Sequence, residues 1–291
     1  MSSHYPGPIA PGLTRIGWIG IGVMGGAMAS RLISAGYSLS IYARNPSKAT
    51  SLLSLGAKVA ASLADLAASS DVIFSMIGHP SDVQSVVLDS LLPALSPNTV
   101  IIDHTSSHPA LARRIYHAAL EKHCYSIDAP VSGGDIGARD GKLAIFAGGN
   151  AEVVQWLRPF AGKGQSSKIA NQIVVGGNLV GLSEGLVFAE KAGLDKNKFL
   201  EAVRGGAAGS MVMELFGKRM IERDFRPGGF AEYMVKDLGM GVDVEEGEEV
   251  AVLPGAALSK QLFSGMVANG DGKFGTQGVI TVIERMNQIG G

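Results

Sequence analysis

The sequence predicts an α/β fold: a doubly wound, mostly parallel sheet at the N-terminus, a long interdomain helix, and an all-α C-terminal domain. Three observations predict it. Short apolar runs alternate with helical patterns from Arg15 to Ala147. The first run passes directly into Gly20-Ile21-Gly22-Val23-Met24-Gly25, with a helical pattern after it. Past Leu194 the β-like runs stop, and helical patterns dominate from Phe199 to Met286.

Residues 1–13, MSSHYPGPIAPGL, contain three prolines and two glycines and read as a disordered lead-in. They have neither a cationic start nor an apolar stretch, so no secretory signal is expected. Arg15 to Ile19 reads as a buried strand, and the helix that follows starts near Gly26. G-x-G-x-x-G between a strand and a helix marks a Rossmann-type dinucleotide site. The glycines allow a tight turn and close backbone approach to a pyrophosphate, which the helix N-terminus then attracts. Gly20, Gly22, Val23, Met24 and Gly25 are therefore candidate cofactor contacts.

Ser38 to Tyr42 is the second strand. An NAD-specific site commonly has an acid at its end, to accept from the ribose hydroxyls. Here Ala43-Arg44-Asn45-Pro46-Ser47-Lys48 follows, and no acid occurs until Asp65. Arg44 and Lys48 offer cations to a 2′-phosphate, and Asn45 offers a neutral donor, so NADP(H) is favoured over NAD(H).

Asp71 to Ile77, Thr99 to Asp103, Tyr125 to Ala129 and Leu143 to Ala147 continue the strand pattern, with a helix from Pro109 to about His123. The strand ends Met76-Ile77, Thr105-Ser106 and Ala129-Pro130 should line the carboxyl edge of the sheet, where ligands bind. In Asp128-Ala129-Pro130-Val131-Ser132-Gly133-Gly134, exposed backbone amides beside a hydroxyl can hold a carboxylate without a cation.

Gly162 to Leu194 is the longest helix candidate, with Ser166 or Ser167 able to cap its start and Gly193 suited to its end. Lys168, Asn171 and Gln172 fall at i, i+3 and i+4 and so share one face. Gly177, Gly181 and Gly185 form a second stripe, over which another helix could approach closely. The domain boundaries read as 14–165 and 166–291. Later, Phe230 to Leu238 reads as a helix with an exposed Lys236–Asp237 pair, and 243–249 as an acidic solvated loop.

Bulk composition narrows the function. Hydrophobic residues make up 46%, charged residues 18%, and the net charge is −1 with no basic tract, so nonspecific nucleic-acid binding is not expected. No apolar run suggests a membrane span. Cys124 is the single cysteine, which excludes an intramolecular disulfide and a multi-cysteine metal site, and the histidines show no metal-ligand spacing, so no metal is expected. A cytoplasmic location fits these features.

Four stretches then fall in a familiar order: GIGVMG at Gly20–Gly25, DAPVSGG at Asp128–Gly134, GKGQSSKIANQ at Gly162–Gln172 and KDL at Lys236–Leu238. The chain resembles the β-hydroxyacid dehydrogenases over nearly all of residues 14–286, and within them the 3-hydroxyisobutyrate dehydrogenase-like branch. The resemblance implies an oxidoreductase that interconverts a short 3-hydroxyacid and its semialdehyde or keto acid by hydride transfer. It implies Lys168 as the catalytic lysine, with Ser132, Gly133 and Gly134 on the substrate carboxylate and Asn171 orienting the substrate or the lysine. Gln172 stands where many relatives have Asn. Ser106 and Lys236 would border the nicotinamide half of the cofactor, and the protein would be a homodimer or homotetramer. The chemistry agrees, because an ammonium beside the carbonyl oxygen stabilises the charge that hydride arrival creates and can deliver a proton.

The sequence departs from that pattern at one place. Between Pro159 and Gly162 only Phe160-Ala161 stands where relatives have a loop and a strand. Two residues span at most about 7 Å. This leaves two alternatives to the active dehydrogenase: an imine reductase on the same scaffold, against which Lys168 counts, and an inactive nucleotide-binding protein.

Overall fold

The computed structural model describes residues 9–157, 164–242 and 251–289, so the short link at 158–163 and the acidic stretch expected at 243–249 lie outside the described residues. The chain divides into two compact units, residues 1–168 and 169–291.

In the first unit, β1 (Ile16–Ile19), α1 (Val23–Ser34), β2 (Leu39–Tyr42), α2 (Thr50–Ser54), β3 (Lys58–Val59), α3 (Leu63–Ala68) and β4 (Val72–Ser75) alternate in sequence. After them come α4 (Pro80–Val83), which runs on through a π-helical stretch at Gln84–Leu91, then β5 (Val100–Asp103), α5 (Pro109–Glu121) and β6 (Tyr125–Asp128). The six strands form one parallel sheet in the order β3-β2-β1-β4-β5-β6. The order reverses beside β1, which places a crevice at the carboxyl ends of β1 and β4. β1, β4 and β5 are apolar almost throughout, as strands covered on both faces must be. Register places Ile41, Trp18, Phe74, Ile102 and Ile127 in one lateral row across the sheet.

The run Leu143–Ala147 does not join this sheet, contrary to the alternation read from sequence. β7 (Val131–Ser132) is followed by α6 (Gly134–Asp140) and then β8 (Ala144–Ile145), and β7 and β8 pair antiparallel as a two-stranded ribbon. Pro130 has no amide hydrogen to continue the β6 ladder. Gly133 and Gly134, at φ +131° and +62°, then turn the chain back. α7 (Ala151–Leu157) ends this described stretch.

α8 (Gly164–Lys191) has 28 residues and leads into the second unit. It begins before Ser166 and Ser167, so these serines lie within the helix and not at its cap. Its far end is as expected. Gly193 takes φ +69°, Leu194 N–H donates to Ala189 O at 2.8 Å, and Gly193 N–H donates to Glu190 O at 3.0 Å. This is the Schellman pattern, which satisfies carbonyls that a helix end leaves bare.

α9 (Lys196–Val203), α10 (Met211–Ile221), α11 (Ala231–Val242), α12 (Pro254–Ala268) and α13 (Ile280–Met286) complete the second unit. Leu179, Leu182, Leu186 and Val187 of α8 recur at helical spacing and pack in one core with Met220, Leu238, Phe263 and Ile283. From Lys168 to Lys191, α8 is long and apolar enough to cross a membrane by composition, with mean hydropathy 1.4. That corrects the expectation that no segment passes this test. Its apolar stripe belongs to the second unit's core, which accounts for the composition without a bilayer. Gly177 and Gly181 are exposed with open space at their Cα positions, whereas Gly185 faces Phe199.

Candidate functional site

The glycine loop is built from the end of β1. Gly20 sits at φ +90°, and a Cβ there would collide with Met76 O. Trp18, buried in the sheet, donates its Nε1–H to Gly20 O at 2.8 Å and so fixes the turn. α1 begins at Val23, three residues earlier than expected, which brings Gly25 into its first turns. A Cβ on Gly25 would collide with Gly20 O, while one on Gly22 would meet nothing within 4 Å. Gly25 is thus required by packing, and Gly22 faces open space. Gly22 is the N-cap and contributes no side-chain cap, so backbone donors at the start of this 12-residue helix are available to an anion. These features fit a dinucleotide pyrophosphate.

The neighbouring strand ends converge here. Met76 N–H donates to Ile19 O at 2.9 Å, and Ile77 N–H donates to Thr105 Oγ1 at 3.0 Å. Asp103 is buried, and its Oδ1 accepts from Ser75 Oγ at 2.7 Å and from Thr105 N–H at 3.1 Å. The structure therefore brings Gly20, Met76 and Ile77 together, with Thr105 bonded to Ile77 just before Ser106. Thr105 was expected at this edge beside Ser106, but its bond to Ile77 was not.

At the end of β2, Arg44, Asn45 and Lys48 are exposed. Arg44 Nη1 lies 3.3 Å from Asp82 Oδ1, with its side chain 75% exposed. Such an exposed pair is weak and exchangeable. Asn45 Oδ1 accepts from Ser47 N–H at 3.1 Å and Ser47 Oγ at 2.7 Å, capping the short helical turn at Pro46–Ala49. Its carbonyl oxygen thus serves the local turn, and its amide group is the donor that remains for a ligand.

Ser132 pairs with Ala144 at the end of the β7–β8 ribbon, and Gly133 and Gly134 follow with exposed backbone. A Cβ on Gly134 would meet nothing within 4 Å. The three residues present a hydroxyl and successive amides, the arrangement a carboxylate accepts.

Lys168 is buried at 8% exposure on α8. In the second unit, Asn171 Nδ2 donates to Gln172 Oε1 at 3.0 Å, and Gln172 Nε2 donates to Asp237 Oδ2 at 2.7 Å. Asp237 Oδ1 lies 3.3 Å from Lys236 Nζ. The Lys236–Asp237 pair is not exposed, as the sequence suggested. Asp237 is 4% exposed, and the side chains of the pair are 14% and 6% exposed. The reason is tertiary: α11 packs Met234 and Leu238 into the core and draws the pair inward with them. Sequence reasoning kept Lys236 and passed over Asp237, which joins α11 to the α8 amides. The doublet itself was the only signal.

Comparison with known proteins agrees with this architecture. Residues 15–175 match a family model described as the NAD binding domain of 6-phosphogluconate dehydrogenase. Residues 162–283 match one described as the NAD-binding domain of NADP-dependent 3-hydroxyisobutyrate dehydrogenase. A 3-hydroxyisobutyrate dehydrogenase-like protein of Arabidopsis thaliana is 55% identical over 303 aligned positions, covering 99% of this chain and 93% of the relative. The 2-hydroxy-3-oxopropionate reductase of Escherichia coli is 34% identical, covering 94% and 98%. The crystal structure of 3-hydroxyisobutyrate dehydrogenase from Salmonella typhimurium superposes with TM-score 0.81 at 25% identity, covering 92% and 99%. Three of the Arabidopsis relatives are named as mitochondrial, which overturns the cytoplasmic expectation. Composition could not have revealed this, because one cysteine and a net charge of −1 fit either compartment.

Proposed function

We propose a specific reaction from one premise: the chain belongs to the β-hydroxyacid dehydrogenase family, and is an NAD(P)-dependent hydroxyacid dehydrogenase. On our reading it interconverts a short 3-hydroxyacid and its semialdehyde or keto acid, with NADP(H) as the favoured cofactor. The observation that carries this is Lys168, a buried lysine on the helix face it shares with Asn171 and Gln172. Lysine is rarely buried without a role.

The bound nicotinamide supplies or accepts the hydride. Lys168 stabilises the charge that develops on the substrate oxygen and holds the proton that moves there. Ser132 with Gly133 and Gly134 binds the carboxylate, and Asn171 and Gln172 orient the reacting group. Asp237 holds Gln172 through the 2.7 Å bond and Lys236 through the ion pair, so that Lys236 does not sample solvent; the family resemblance assigns Lys236 to the nicotinamide half of the cofactor. Gly20, Gly22, Val23, Met24 and Gly25 hold the pyrophosphate, with Met76, Ile77 and Ser106 along the same edge. A panel of short 3-hydroxyacids and semialdehydes followed by nicotinamide absorbance tests the reading. NADPH binding without turnover on any of them would reject it.

Arg44 and Lys48 support the cofactor preference, with Asn45 as a neutral donor. Arg44 exchanges its exposed Asp82 contact for the 2′-phosphate. A charged hydrogen bond of about 1.5–3 kcal/mol corresponds to roughly 10–100-fold tighter binding of NADPH than of NADH. Arg44→Ala should erase most of that ratio in parallel titrations, and equal affinities in the unaltered chain would sink the assignment.

A homodimer or homotetramer is the assembly this reading implies. Val174 and Phe188 of α8 are 62% and 71% exposed, and Gly177 and Gly181 lie open between them. An apolar stripe with small residues suits close helix approach. Sedimentation at micromolar concentration should give a multiple of 30.1 kDa; a monomer refutes it.

A further inference from the structure

A cavity of about 390 Å³ lies within the first unit, against one face of the sheet. Trp18, Phe74, Ile102 and His104 form its floor, and Leu32 and Leu143 stand among its walls. Gly20, Ser106 and Ser132 do not line it, so it is separate from the carboxyl edge already described. Its size falls in the range of small-molecule pockets, about 300–1,000 Å³. Apolar cavities of only roughly 150 Å³ already bind benzene-sized guests.

The floor is a ladder of flat rings. Trp18 and Phe74 stack with centroids 5.4 Å apart, and Phe74 and His104 stack at 5.7 Å with 9° between planes. His104 is 5% exposed. Its Nδ1 lies 2.6 Å from Ala129 O. A carbonyl only accepts, so Nδ1 carries the hydrogen and Nε2 keeps a bare lone pair. Among the described residues, Nε2 has no hydrogen-bond partner. Burial lowers the His104 pKa to about 4, so the ring is neutral near pH 7. Nε2 is not among the fully buried polar atoms that lack a partner, so it opens onto the cavity, where a guest's donor can reach it. The walls are mostly apolar, so a guest with an apolar body gains there over water by the area it removes from solvent.

We propose that this cavity binds a neutral, flat molecule of the phenol class, with an apolar body over the ring ladder and a single hydroxyl donating to His104 Nε2. Arg31 also borders the space, with its Nη1 donating to Arg139 O at 2.8 Å. A carboxylate of the same size is therefore the informative control.

Calorimetric titration of the full chain with 4-butylphenol, 4-butylanisole and 4-butylbenzoate tests the proposal. The phenol should bind about tenfold more tightly than the anisole, the worth of one net hydrogen bond, and more tightly than the benzoate. His104→Phe keeps a ring in the ladder and should remove the phenol's advantage. Ala147→Leu fills the space and should abolish binding of the phenol and the anisole while NADPH still binds. Should His104→Phe fail to fold, the His104 Nε2 resonance in ¹⁵N NMR of the unaltered chain carries the test, since it must shift on adding the phenol and not the anisole. Absence of phenol binding, an unmoved Nε2 resonance, tighter binding of the benzoate, or a phenol advantage that survives His104→Phe each overturns the proposal.

Discussion

Replacing Lys168 by alanine should lower turnover by about 10²–10⁴-fold, the range for a positioned acid or base, while NADPH affinity changes little. The lysine is buried at 8% exposure, on the α8 face that also carries Asn171 and Gln172. On the proposed mechanism, removing the ammonium removes both the charge opposite the developing oxyanion and the proton it needs. Lys168→Arg separates the two contributions. A guanidinium keeps the positive charge but does not release its proton in this pH range. Arginine should therefore recover part of the loss at most. Single-turnover hydride transfer followed by nicotinamide absorbance reads the effect without interference from product release. Turnover of the alanine variant within tenfold of the unaltered chain would remove Lys168 from the chemistry.

The second large effect concerns the glycine loop. Gly25→Ala should lower the melting temperature and weaken NADPH binding by about 10²-fold, as a misplacement of roughly 1 Å at a positioned site does. The new Cβ would collide with Gly20 O, and Gly20 cannot retreat because its own Cα faces Met76 O. Gly22→Ala is the counterpart. Its Cβ meets no protein atom within 4 Å, so the fold should keep its melting temperature. It would stand in the space left for the pyrophosphate, so affinity alone should fall. Titration of both variants beside thermal unfolding distinguishes a loop built for packing from one built for a ligand. Unchanged affinity in Gly25→Ala would mean that the loop does not hold the cofactor.

Much of this site was legible because its parts are local. A strand, three spaced glycines and a helix are contiguous in sequence, and the loop formed where they stand. Lys168, Asn171 and Gln172 share a helix face by periodicity alone. What escaped notice depends on contacts distant in sequence. Asp237 meets Gln172 across 65 positions, and the Lys-Asp doublet alone does not show that the pair is drawn inward. Thr105 meets Ile77 across 28. The β7–β8 ribbon was misassigned because two-residue strands lack a period, and an apolar run such as Leu143–Ala147 reads equally as a sheet strand. α1 was started too late because Gly25 was read as loop, although a glycine in a helix costs only about 1 kcal/mol. The space beside His104 has no sequence signature, since a cavity is what side chains from several elements fail to fill.

The bond from Trp18 to the Gly20 carbonyl has a kinetic consequence. The indole belongs to the sheet interior, so the loop's shape is a by-product of folding and exists before any ligand arrives. Binding then carries no ordering entropy for that segment. Capture of the pyrophosphate then needs no rearrangement of that turn, and a slower association would have to come from another part of the site.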